Sequence, residues 1–340
     1  MTDIRDQHIL LGHGSGGRMS RDLISDVFVS AFSNPSLDAM SDSAVLEPGE
    51  GSIAFTTDGY IVSPPFFAGA DIGTLAVSGT ANDLAVAGAR PAYLSYAVII
   101  EEGFPVQDLS RIVESTSKTA EMAGMRIVAG DTKVVGRGGA DGIFIVTAGI
   151  GFVPPDRSPN VSRIESGDYI VITGTLGEHA IAVLQAREDV TFVAEVASDC
   201  APLTGMLERA WTAAGQAIRF MRDPTRGGLA TVLNEIVGDT GFAIHINEKD
   251  IPVLEPVAGA CDLLGYDPLY LANEGKAVIV VAPEKTDALV NALKEDPLGR
   301  RAAVIGEVKD EPEGRVVLHT RAGGSRIVTM LAADQLPRIC

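Results

Sequence analysis

The chain has 340 residues, a formal net charge of −18, and 46% hydrophobic against 21% charged residues. That length supports two packed domains, and the composition excludes a disordered chain. The acidic balance, with no run of Lys and Arg to displace counterions from a phosphate backbone, excludes nucleic acid as a partner. Any nucleotide held by so anionic a chain has to be neutralised by Mg²⁺ bound to the protein's own carboxylates. No apolar run reaches the ~20 residues of a bilayer helix, and the opening "MTDIRDQHIL" lacks a signal-peptide core, so no membrane segment is expected. Three cysteines with no Cys-x-x-Cys pair point to the reducing cytoplasm and away from a zinc site.

In chain order, "GHGSGGRM" comes first. Gly12, Gly14 and Gly17 satisfy G-x-G-x-x-G, and the stretch nearly satisfies a phosphate-binding Walker loop, but Arg18 and Met19 stand where Lys and Ser/Thr are needed. What survives is a flexible Gly loop able to turn backbone N–H groups toward an anion. "RDLISDVFVSAF" then sets Leu23, Ile24, Val27, Phe28 and Ala31 on one helical face. "SIAFTTD" reads as a strand ending at Asp58, and "DGIFIVTAGIGF" as a buried strand. Pro154, Pro155 and Pro159 interrupt pairing in "VPPDRSPNVSRIESGD", which places a domain boundary there. The division is therefore 1–155, 156–330 and a tail, 331–340. The second domain opens with strand, Gly turn and helix in "YIVITGTLGEHAIAVLQA" and closes near Gly306, followed by the strand-like "RVVLHT" and "SRIVTML". The alternation of strand and helix periods reads as α/β or α+β.

A series of acids and amides beside Gly or at strand ends carries more information: Asp58 in "TTDG", Asp71 in "GADIG", Asn82 and Asp83 in "GTANDLA", Asp131 in "AGDTK", Asp223 in "MRDPTRGG" and Glu274 in "LANEGK". Each alone reads as a helix cap or turn former. Together they supply the oxygens that a Mg²⁺–triphosphate needs from distant segments, while unrelated caps remain the alternative. His8, His179, His245 and His319 show no paired ligand spacing and default to core or surface roles; His13, inside the Gly loop, is the exception. Cys200 and Cys261 lie among small apolar neighbours and read as packing residues.

The strings "HGSGGR", "TTDGYIVSPPFFAGADIGTLAVSGTANDLAVAGARP", "IIEEGF", "AGDTKVVGRG", "MRDPTRGGLATVLNEI", "DPLYLANEGK" and the terminal "LPRIC" span nearly the whole chain. By them the protein resembles the HypE family of hydrogenase maturation carbamoyl dehydratases, in the superfamily of aminoimidazole ribonucleotide synthetase (PurM) and selenophosphate synthetase. The resemblance implies two α+β domains of the PurM-like fold, a homodimer pairing through the N-terminal domains, and ATP in a cleft beside the shared β structure. It implies that a carbamoyltransferase, HypF, loads a carbamoyl group onto Cys340. ATP then drives its dehydration to a thiocyanate, and a HypC–HypD complex receives the cyanide for the iron of a [NiFe]-hydrogenase. Carried over by motif, Asp58, Asp83 and Asp223 are the metal ligands. Asp71, Asn82 and Asp131 lie near the phosphates or behind the ligands, and Gly14, Gly16, Gly17, Thr132, Arg226 and Gly227 join them in holding the nucleotide. Glu274 is the general base, with Lys133 its partner or a phosphate stabiliser.

A terminal thiol has chain on one side only and enters a narrow cleft tip first. Pro337 prevents a helix across the tail, and residues 334–340 reach roughly 20–25 Å when extended. In an extended tail Arg338 and Cys340 share a side, so the guanidinium offsets the terminal carboxylate. Two other readings compete. By resemblance, a selenophosphate synthetase-like kinase has a site with a reactive Cys or selenocysteine and a Lys in the N-terminal Gly loop, and "GHGSGGR" has neither; a non-catalytic scaffold would use the tail only to dock partners.

Overall fold

Strand pairing in the first half of the chain joins β1 (Ser52–Tyr60), β4 (Arg90–Glu101), β5 (Arg126–Val135) and β6 (Ile143–Val153) in the order β1-β6-β4-β5, with the short hairpin β2 (Phe66–Phe67) and β3 (Ala70–Asp71) between β1 and β4. The computed structural model describes residues 8–15, 18–38, 43–187, 195–331, 336 and 338–340. Gly16, Gly17, Pro337 and residues 332–335 of the tail lie outside them. β4 and β5 run parallel, which requires a crossover; the helix Val106–Ala123 provides it and ends on Gly124 at φ 72°. That left-handed turn is open to Gly at no steric cost.

β1 alternates as its sequence dictates. Ala54, Thr56, Asp58 and Tyr60 turn toward the helix Ile72–Val86, while Ile53 and Phe55 are 69% and 66% exposed on the other face. The segment Arg18–Phe32 is helical, as expected, but passes through a π turn at Ile24–Val29. Leu23, Val27 and Phe28 are buried; Ile24 and Ala31 are only partly covered.

The second sheet joins β7 (Tyr169–Ile172), β8 (Ile218–Arg222), β9 (Ala243–Asn247), β10 (Val278–Val281), β11 (Ala303–Lys309), β12 (Val316–His319) and β13 (Ser325–Val328), in the order β13-β12-β9-β11-β7-β10-β8. The expected close of the domain near Gly306 is corrected here. Gly306 sits inside β11, and β12 pairs in parallel with β9, so "RVVLHT" and "SRIVTML" complete this sheet. All four residues of β10 are fully buried, each worth roughly 1.5–3 kcal/mol relative to an exposed valine or isoleucine. The helix Gly228–Thr240 packs on one face, and the helices Thr204–Ala214 and Thr286–Lys294 on the other.

Ala85 and Val86, at the end of the helix Ile72–Val86, enter the same apolar cluster as Leu207, Trp211 and Ile279. The first half of the chain therefore inserts a helix end into the core of the second. Arg157 locks the seam by donating Nη2–H to Glu208 at 2.7 Å, with its guanidinium over the Trp211 ring. Side chains near that helix end consequently face residues from both sheets, and Asp83 is one of them.

Candidate active site

Asp58 on β1, Asp83 near the end of the helix Ile72–Val86 and Asp223 just after β8 line one cleft of about 730 Å³, together with Thr225, Arg226 and Glu235. Thr56, two residues before Asp58 and on the same face, donates its hydroxyl to Asp83 Oδ2 at 2.8 Å. The Tyr60 hydroxyl lies 3.5 Å from Asp58 Oδ2 and 3.3 Å from Thr80 Oγ1. Burial, with the charges of Asp223 and Asp58 behind it, pushes Asp83 up to about 7. Burial likewise lifts Asp223 to about 6, with Arg222 pulling against it. Arg222 is itself paired with Glu235 at 2.9 Å, so the acids of the cleft are left under-compensated.

That electrostatic deficit fits a divalent cation. Among the described residues no three His, Cys, Asp or Glu side chains form a metal cage by themselves. Mg²⁺ commonly takes only one or two carboxylates and completes its shell with phosphate oxygens and water, so facing carboxylates across an open cleft suit the ion as a carrier of nucleotide.

Glu274 reaches the same field from a loop just before β10. It is 3% exposed, its Oε1 has no hydrogen-bond partner among the described residues, and its pKa is raised well above the carboxylate range. Burial is the main cause, followed by Asp223, Asp199, Asp58 and Asp83. The loop is fixed through its backbone. Asn82 donates Nδ2–H to the Glu274 carbonyl at 3.2 Å and to the Ala201 carbonyl at 3.1 Å, while Leu203 N–H donates to its Oδ1 at 2.7 Å. Asp199 accepts from the N–H groups of Glu274 and Gly275 at 3.2 and 3.1 Å, and from Lys276 Nζ at 3.1 Å. A Cβ on Gly275 would stand 1.8 Å from the Asp199 carbonyl oxygen.

Asp71 accepts from Thr74 N–H at 2.8 Å and from the Ser115 hydroxyl at 2.6 Å, capping the helix Ile72–Val86. Gly227 begins the helix Gly228–Thr240 at φ 73°, and Gly228 follows at φ 60° with Leu269 and Leu271 carbonyls 2.6 Å from where a Cβ would lie. The backbone at the start of this helix thus rests directly on the segment leading into the Glu274 loop.

Asp131, Thr132 and Lys133 lie elsewhere, on β5. The row Asp58, Thr147, Tyr96, Gly130 crosses the whole sheet, three strand spacings or about 14 Å at ~4.8 Å each. There they line a separate cavity of about 210 Å³ with Gly14, Phe28, Phe32 and Tyr96. Lys133 Nζ pairs with Asp131 Oδ2 at 2.8 Å, both side chains more than half exposed, and this contact lowers the Asp131 pKa. Lys133 is therefore not the partner of Glu274 within this chain, because the parallel β4–β5 pairing holds it at the far edge. His13, singled out in the Gly loop, is buried and accepts from Leu10 N–H at 3.0 Å, an internal turn contact.

The end of the tail docks just beyond β1. Ile61 N–H donates to a main-chain carboxylate oxygen of Cys340 and Ser63 N–H to the Arg338 carbonyl, both at 3.3 Å, and Arg187 Nη2–H donates to the Arg338 carbonyl at 2.7 Å. Leu336 and Ile339 are buried, and Cys340 packs against the same apolar cluster. The expected extended alternation does not hold in this docked state. Arg338 adopts φ 58° and its guanidinium pairs with Asp141.

Sequence reading missed Asp199, Lys276, Tyr60 and Thr56, and left His179 to a default role. Only the "NEGK" string gave a signal, for Lys276; the others acquire meaning from partners 19 to 160 residues away, as with His179 at Ser198 and Ile339.

Residues 40–153 match the AIR synthase related protein N-terminal domain family and residues 165–319 its C-terminal domain family. These define the class: a two-domain AIR synthase-related protein. The carbamoyl dehydratase HypE of Bradyrhizobium diazoefficiens is 49% identical over 338 residues, covering 99% of this chain and 98% of that protein. That of Escherichia coli K12 is 43% identical, covering 98% and 99%. A crystal structure of the hydrogenase maturation protein HypE in complex with ATP superposes with a TM-score of 0.93 at 47% identity, over 97% of this chain and 99% of that one. The chain belongs to the HypE family. A thiamine-monophosphate kinase from Stenotrophomonas maltophilia, at 20% identity and a TM-score of 0.65, shares the fold.

Proposed function

We propose that this protein is an ATP-dependent carbamoyl dehydratase of hydrogenase maturation, and that it acts on a carbamoyl group carried by its own Cys340. The observation that carries the reading is the dock of the C-terminus. Ile61 N–H holds a main-chain carboxylate oxygen of Cys340 three residues beyond Asp58, just past the strand that enters the acid cleft. A family relative crystallised with ATP supports ATP as the nucleotide for that cleft.

The chemistry asks for these parts. Converting R–S–C(=O)NH₂ to R–S–C≡N removes the amide oxygen and two protons from nitrogen. Oxide is a very poor leaving group, so the oxygen first takes the γ-phosphoryl group of ATP and then departs as phosphate, leaving ADP. Asp58, Asp83 and Asp223 would hold Mg²⁺, which when bound spreads charge over the triphosphate. Arg226 lines the same cleft, and its guanidinium, with the Gly227 turn beside it in sequence, would suit phosphate oxygens. Glu274 takes one of the two protons from nitrogen, and the departing phosphate carries the other. Its elevated pKa makes it, once deprotonated, a stronger base than an ordinary carboxylate, and Asn82 and Asp199 keep it from swinging away.

The division into residues 1–155, 156–330 and a tail from 331 belongs to this proposal, as does a cytoplasmic setting. So does a homodimer. Ile53 and Phe55 are exposed on a sheet-edge strand, a surface that soluble chains normally cover. A second copy across that edge would bring further groups to the nucleotide, with Lys133 as phosphate stabiliser. A complex structure of HypE with HypF, 47% identical to this chain, supports a HypF-type carbamoyltransferase as the partner that loads Cys340, and a HypC–HypD complex would accept the product.

Intact-mass analysis after incubation with the carbamoylating partner and ATP tests the reading. The C-terminal peptide is expected to gain the mass of a carbamoyl group and then lose one water. Cys340→Ala or a single residue appended after Cys340 is expected to abolish or impair this. An unmodified C-terminus under full loading would overturn it, and a carbamoylated chain that turns over no ATP would favour the scaffold reading.

A further inference from the structure

His179, the second residue of the helix Glu178–Ala186, is fully buried. Both ring nitrogens are engaged. Nε2 lies 2.6 Å from the Ile339 carbonyl oxygen and Nδ1 2.9 Å from Ser198 Oγ. A carbonyl only accepts, so Nε2 carries the hydrogen and Nδ1 accepts from the Ser198 hydroxyl. Burial lowers the His179 pKa, in keeping with a neutral ring, and Phe67 meets the imidazole edge-on at 5.4 Å between centroids.

Ser198 is itself pinned. Its N–H donates to the Ala68 carbonyl at 2.7 Å, and its Oγ accepts from Cys200 N–H at 3.1 Å. Between them stands Asp199, the carboxylate that holds the Glu274 loop. One imidazole therefore touches both the penultimate residue of the tail and the segment that fixes the proposed base.

We infer that His179 is a positioning residue: through Ile339 it latches the docked tail, and through Ser198 it keeps that tail in register with the segment that holds Glu274. The inference rests on the reading that Cys340 carries the substrate. Alkylation separates the two, because it needs neither ATP nor a loaded thiol.

The full-length protein is treated with iodoacetamide and each cysteine peptide is quantified by mass; buried Cys200 and Cys261 report folding. His179→Phe removes both contacts and is expected to speed alkylation of Cys340 about tenfold, the scale of one lost buried hydrogen bond. His179→Gln keeps an N–H donor near the Nε2 position and is expected to stay within about threefold of wild type. On the carbamoylated chain, His179→Phe lowers kcat about tenfold with the KM for ATP unchanged, and His179→Gln restores most of it. Unchanged Cys340 alkylation in a folded His179→Phe protein, or His179→Gln reacting as fast as His179→Phe, overturns the latch. If His179→Phe also exposes Cys200, Ser198→Ala decides: an acceleration of about threefold at Cys340 alone supports the latch, and none overturns it. A wild-type chain that never dehydrates its carbamoyl group would sink the functional reading, while the alkylation contrast would still decide on the latch.

Discussion

At the acid cleft, Asp83 and Asp223 sit with Asp58 where burial and like charge push protons back onto them; at the β5 edge, Asp131 stands in water beside Lys133 and is held ionised. The first region is an unmet electrostatic demand built from both halves of the chain. The second is already balanced on a single strand. Charge balance alone thus separates the cleft proposed to take up a metal–nucleotide from the edge proposed to meet a second copy.

Four experiments would sharpen or break that contrast, beginning with the largest effect. Glu274→Gln is expected to cut dehydration by about 10²–10⁴-fold while ATP binding stays within a few-fold, as single-turnover kinetics and calorimetry would show. Asp83→Asn is expected to lower ATP turnover by about a hundredfold and yet to stabilise the nucleotide-free protein, by on the order of 2 kcal/mol at pH 8. The sign follows from proton counts. Folded Asp83 and Asp223 keep protons to about 7 and 6, against about 4 in an unfolded chain. Between those values the native state binds more protons, so wild-type stability falls as pH rises from about 4 to 7. Thermal melts across that window should show the decline, and Asp83→Asn should flatten it.

Phe55→Lys comes next. If the exposed face of β1 is a copy-to-copy contact, sedimentation should shift to the monomer with little change in the melting temperature; an unshifted profile would remove the route by which Lys133 reaches a nucleotide. Lys133→Ala has the smallest expected effect. Activity should drop about tenfold, but stability should move by no more than about 0.5 kcal/mol, because an exposed pair contributes little. A large melting shift would mean the edge is not the balanced surface described.

Much of the cleft was legible in the sequence. Asp58, Asp83, Asp223 and Glu274 announce themselves as acids at strand or helix ends, where loops converge. Asp71 shows the limit of that signal, since an acid before Ile72 is also an ordinary cap, and a cap is what it makes with Thr74. Asp199 was not legible: "ASDC" resembles any polar turn until β7 and β10 bring Glu274 and Lys276 against it. Motif order carries no strand register, so pairing Lys133 with Glu274 is a reading that only the sheet order β1-β6-β4-β5 can undo. His179 looked like a core residue because it is one; its partner 160 positions later is invisible to any local pattern.

Near Glu274 the main chain meets main chain twice, at Gly228 against the Leu269 and Leu271 carbonyls and at Gly275 against Asp199. Neither contact has a side chain to trim, so no gradual series of substitutions can loosen or tighten it. A library spanning residues 271–276 should therefore return glycine at 275 in every functional clone, and altered specificity would have to be sought by exchanging the whole loop together with residues 198–200.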